Sequence, residues 1–86
     1  MKIHELKILP EYFEDVAQEI KTFEIRKNDR DFSVGDTLIL REFNPRNTPN
    51  YSGRKLRRQI VYLFRDAHSK FGLDKDYVIL GIKPID

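Results

Sequence analysis

Apolar residues recur at helical spacing in one place only. Tyr12, Phe13, Val16, Ala17 and Ile20 form a stripe behind Pro10, which suits a first helical turn where its missing N–H costs nothing. Glu11, Glu14 and Asp15 lie early in this segment, where negative charge complements the helix dipole. The spacing predicts a helix over about residues 10–20. Before it, His4, Leu6 and Ile8 alternate with Glu5, Lys7 and Leu9 as in a strand. After it, alternation returns three times, at 22–28, Thr37–Phe43 and Gln59–Phe64, and Tyr77–Ile82 closes the series as a fifth strand. Tyr62 falls in phase with Ile60 and Phe64 and reads as core. The last segment is continuously apolar and reads as buried on both faces. One helix and five short strands in 86 residues define a single α+β domain over 1–86, a small, strongly curved sheet or barrel. Closure would also remove exposed strand edges.

The chain has no cysteine, which excludes disulfides and thiolate metal sites and fits an intracellular setting. No apolar run approaches membrane length, and the first residues are charged, so neither a membrane span nor a signal peptide is expected. The expected compartment is the cytoplasm. No metal-ligand spacing occurs, and no cofactor is called for.

Charge is unevenly placed. Residues 1–40 carry six basic and nine acidic side chains; residues 41–65 carry seven basic ones against Glu42 alone. A local cationic block on a nearly neutral domain points to an anionic partner, of which nucleic acid is the usual one. A solvated charged hairpin is the plain alternative. Tyr51, Gly53, Arg54, Arg57 and Arg58 combine an aromatic ring, a flexible point and a cationic run, a mixture that binds single strands by stacking and phosphate neutralisation. The 44–53 loop, rich in Asn and Pro, has the length of a lid.

The densest polar cluster is Lys21-Thr22-Phe23-Glu24-Ile25-Arg26-Lys27-Asn28-Asp29-Arg30-Asp31. On a strand, Phe23 and Ile25 share one face, and Glu24 and Arg26 share the other, about 7 Å apart. A carboxylate flanked by cations can accept from a base edge while lysine or arginine takes phosphate. An internal Glu24–Arg26 pair would explain the same residues. Asn28 and Arg30 are further candidates for ligand contact, whereas Asp29 and Asp31 suit the turn. His4 could serve as a general base beside Lys7, although one histidine on a first strand is more often structural. His68, with no acidic partner in register, reads as surface.

The run Lys21 to Arg26, followed by Val34-Gly35-Asp36, resembles the signature of ASCH domains, in the PUA-like superfamily. His4-Glu5-Leu6-Lys7, Arg26 to Arg30 and Tyr51-Ser52-Gly53-Arg54 are similar to a branch of short prokaryotic and phage proteins within it. The resemblance covers nearly the whole chain. It implies a small β-barrel flanked by helix and RNA held in a cleft, with Lys21, Glu24 and Arg26 filling the motif. Some ASCH proteins instead hydrolyse acetylated cytidine with a lysine, a threonine and a glutamate. Their threonine stands three positions after the lysine, where this chain has Glu24, and Thr22 is not equivalent. In that alternative Lys21 and Glu24 would be the acid–base pair. Glu19 also departs from the pattern, which has glycine there, so the turn into the strand could differ in shape.

Overall fold

A computed structural model describes residues 1–85. Its elements follow the order β1 (Ile3–Ile8), α1 (Pro10–Ala17), β2 (Phe23–Lys27), β3 (Thr37–Phe43), β4 (Tyr51–Arg65) and β5 (Tyr77–Pro84). The strands form one sheet ordered β1-β3-β4-β5-β2, with β1 parallel to β3 and the other pairs antiparallel. The sheet curls into a half-barrel, with β1 and β2 at its free edges. The helix lies on the inner face, where Phe13 and Val16 join Leu6, Ile8, Leu38, Leu40, Ile60, Val78, Leu80 and Ile82 in the core.

No ladder bridges β1 and β2. Arginine side chains span the gap instead. Arg26 Nη2 donates to the Lys7 carbonyl, and Arg30 Nη1 donates to the Glu5 carbonyl at 2.8 Å. Glu5 and Lys7 are two apart, so both carbonyls leave the same side of β1. These are the acceptors that an exposed strand edge leaves open.

The helix ends three residues before its apolar stripe does. Glu19 N donates to Val16 O at 3.0 Å, and Ile20 N donates to Asp15 O at 2.9 Å. This crossed pair is a Schellman motif, with Glu19 as its left-handed residue at φ 59°. Glu19 thus takes the conformation that glycine would favour, and the departure from the resembled pattern leaves the turn a helix stop. Ile20 lies beyond that stop, 71% exposed rather than on the helix stripe.

Three expectations about strands need correction. First, β4 starts at Tyr51, so the basic run belongs to a strand and not to a loop leading into one. Second, Tyr62 is 65% exposed, because the β4–β5 register shifts between Ile60 and Tyr62. That bulge puts one extra residue on β4 and moves Tyr62 out of phase with Ile60. Third, β5 alternates: Val78, Leu80 and Ile82 are buried, while Tyr77 is exposed and Ile79 half-buried.

Candidate nucleotide-binding cleft

β2 is an edge strand with its polarity reversed. Its buried side chain is Glu24, only 3% exposed, while Phe23 and Ile25 are largely open. Lys21, just past the helix stop, and Arg26, two residues along the strand, meet this carboxylate from either side. Lys21 Nζ donates to Glu24 Oε1 at 2.7 Å, and Arg26 Nε donates to Oε2 at 3.1 Å. Each carboxylate oxygen has a second acceptor position, so the pairing leaves capacity for a ligand's donor.

The three charges line an open cleft of about 440 Å³, with Lys7, Ile8, Leu9, Tyr12, Phe23 and Ile25. Its size falls within the usual range for small-molecule sites. The rings of Tyr12 and Phe23 flank the lysine, with centroids 5.3 and 5.1 Å from Nζ. Each keeps nearly half its surface open. Periodicity places Tyr12 on the core stripe and Phe23 on an apolar strand face, and neither placement marks the two rings as cleft walls. The available signal is an aromatic either side of Lys21 near an edge strand.

The remaining candidates scatter. Lys7 lines the cleft, its Nζ 4.6 Å from the Phe43 centroid. His4 lies in the core: Nε2 is 2.8 Å from Asp36 Oδ2, and the ring packs on Phe32 at 4.7 Å. Asp36 also accepts from the Lys2 and Ser33 amides, both at 3.1 Å. Burial alone would raise this carboxyl, but the His4 bond and the two amides outweigh it and hold its pKa below the ordinary value. The Gly-Asp turn therefore anchors β1 to the start of β3.

Asn28 continues β2's ladder by donating its amide to Asp76 O at 2.8 Å. Its Oδ1 is buried without a hydrogen-bond partner among the described residues. Arg30 is committed to β1, as above. Asp31 takes the turn at φ 51° and accepts from Lys2 Nζ at 3.2 Å.

Strand alternation divides the basic run. Arg54 faces inward, 2.7 Å from Glu14 on the helix and 3.8 Å from Glu42, with Phe13 beneath it. Arg58 is buried, and its Nη2 donates to Val16 O at 3.1 Å, satisfying a carbonyl in the last turn of α1. Arg57 faces outward, exposed. Tyr51 is half-buried, edge-on to Phe43 at 5.1 Å, and carries the Arg41 guanidinium 4.1 Å above its ring. No residue of 44–53 lines the cleft; most of that loop surrounds a separate depression with Pro10 and Glu42. Among the described residues, no three His, Cys, Asp or Glu side chains gather in an arrangement that could hold a metal ion.

The class defined by these features is a small α+β half-barrel with an edge-strand cleft. The chain belongs to the family described as Domain of unknown function (DUF3850), whose match spans residues 3–82 and so includes every residue of the cleft. It is also 38% identical over 79 residues to the "Uncharacterized 12.9 kDa protein in GpA 3'region" of Escherichia phage P2. That alignment takes in 92% of this chain but 66% of the phage protein, just under two thirds of its length. Among the described residues, no helix is long and apolar enough to cross a membrane.

Proposed function

We propose that this domain binds RNA, or a nucleotide from it, by holding an unpaired base in the β2 cleft, in the manner of ASCH domains on a PUA-like barrel. The observation that carries the reading is the buried Glu24 carboxylate, held between Lys21 and Arg26 at a cleft with two open ring faces. A carboxylate accepts from an exocyclic amino group, as on cytosine. Tyr12 and Phe23 offer surfaces for stacking, which contributes about 1–3 kcal/mol per base in single-strand binders. Lys7, Lys21 and Arg26 leave the cleft net cationic despite Glu24, as a phosphate-bearing ligand requires. The Lys-x-x-Glu-x-Arg resemblance adds support, and a cytoplasmic site of action follows from this reading.

Hydrolysis of a modified nucleoside finds less support. Among the described residues the cleft lining contains no serine or threonine, and Thr22 lines a different depression, which Lys21 borders but Glu24 does not. Within the cleft, the Lys21–Glu24 pair therefore has no aliphatic hydroxyl to activate.

The test is a fluorescence-anisotropy titration of labelled single-stranded RNA, with mononucleotides as competitors, at about 50 and about 200 mM salt. Binding that weakens steeply with salt and is impaired in Glu24→Gln and Lys21→Ala is expected. Failure of the folded wild-type protein to bind any of these probes at the lower salt would refute the reading.

A further inference from the structure

The outer face of the sheet carries a second cationic feature that begins at the cleft. Register sets Lys7 opposite Arg41 and Arg41 opposite Lys55. Three cations thus occupy one row across β1, β3 and β4, about 10 Å from end to end at ordinary strand spacing. Arg57 stands on the same face, opposite Ile39. Among the described residues, none of the four forms an ion pair. Like charges directly opposite one another destabilise a sheet, so the row works against the fold unless an anion covers it. The neighbouring row pairs Phe43 with Tyr51, and Lys7 and Arg41 rest over those two rings. Cations and aromatics interleaved on a strand surface suit a phosphodiester chain whose bases are free to stack.

We propose that this row carries the phosphate backbone of a single-stranded nucleic acid out of the cleft. The strand passes from Lys7, which belongs to both places, across Arg41 to Lys55 and Arg57. The inference rests on the reading of the cleft as a base site and extends it from one nucleotide to several. The inward members of the basic run, Arg54 and Arg58, take no part, because the helix holds them.

The experiment compares wild type with the triple variant Arg41→Gln, Lys55→Gln, Arg57→Gln, which leaves every cleft residue in place. Labelled oligouridylate and oligothymidylate distinguish RNA from DNA, while a duplex and polyglutamate serve as controls. The variant should melt no lower than wild type, since opposed like charges are removed. Its plot of log affinity against log salt for single strands should be shallower by about 2, at about 0.7 for each phosphate no longer neutralised. Mononucleotide binding should be unchanged. An unaltered salt slope, or an equal loss on polyglutamate or on the duplex, overturns the proposal. The cleft reading fails separately: if mononucleotides do not bind while the single-strand slope still falls, the row stands and the cleft does not.

Discussion

Glu24 is almost wholly withdrawn from water, yet both its oxygens accept from cations that keep some exposure. Neutralising it strands two positive charges against each other. Glu24→Gln should therefore lower stability by about 1–2 kcal/mol, less than the loss for a fully buried pair because Lys21 and Arg26 remain partly solvated. Urea denaturation measures this, and an unchanged midpoint would show that the pair contributes nothing. Glu19 provides the opposite case. A side chain at φ 59° is held in a conformation that glycine takes without strain. Glu19→Gly should stabilise by about 0.5 kcal/mol, the relief of strain being partly offset by greater freedom of the unfolded chain. A higher melting temperature is the expected readout. The polar identity of Lys21, Glu24 and Arg26 is legible in the sequence, but which face of β2 they occupy is not. Alternation fixes only that two faces differ, and an edge strand can turn its polar face inward where partners from a helix stop and a neighbouring edge meet it.

Among the elements, β4 is the hardest to read. Its alternation breaks twice: once opposite Arg41–Phe43, near Gly53, and once between Ile60 and Tyr62. The bulge after Ile60 shifts phase without changing composition, so by sequence Tyr62 looks like core; Arg54 to Arg58 look like one cationic run because like charges mask an ordinary in–out alternation. The second bulge sits opposite Gly81, where an added Cβ would lie 3.0 Å from Tyr62 Cβ, tighter than most such contacts, and at ordinary distance from the Tyr62 backbone. Gly81→Val should cost about 1–3 kcal/mol through overpacking, measured by chemical denaturation. Removal of the bulge would instead leave the strand able to accept valine at no cost. The other strands are legible to within two residues at either end, because β1 and β3 alternate without interruption and β5 is an unbroken apolar run. The helix start is clear from Pro10. Its end is not, because the left-handed residue there is glutamate and gives no glycine signal.

At the scale of the whole molecule, two buried aspartates organise chain segments by accepting backbone amides. Asp36 fastens residue 2, residue 33 and His4, and Asp66 receives the amides of Lys70, Phe71 and Leu73. For both, burial alone would raise the carboxyl; the His4 bond and two amides at Asp36, and the amide bonds at Asp66, reverse that and hold each below the ordinary value. A depressed carboxyl stabilises the fold fully above the unfolded aspartate pKa of about 3.9, and that contribution is lost as pH falls through the folded value. Urea midpoints should therefore decline below about pH 4 through these two groups, and Asp66→Asn should flatten part of the decline. A variant with the wild-type pH profile would remove Asp66 from this account. The radius of gyration, 13.2 Å, exceeds the roughly 12 Å of a chain this long packed as an ordinary domain. No ladder joins β1 to β2, so the curl stays open on one side, and the fastening of that side by Arg26 and Arg30 has a kinetic consequence. A ladder parts only by local unfolding, whereas arginine side chains change rotamer in nanoseconds or less when exposed. Because Arg26, itself half-buried, grips both Glu24 and the β1 carbonyl, a single rotamer change would free the carboxylate and loosen that wall together. On the proposed reading, a ligand would then enter without waiting for the sheet to open.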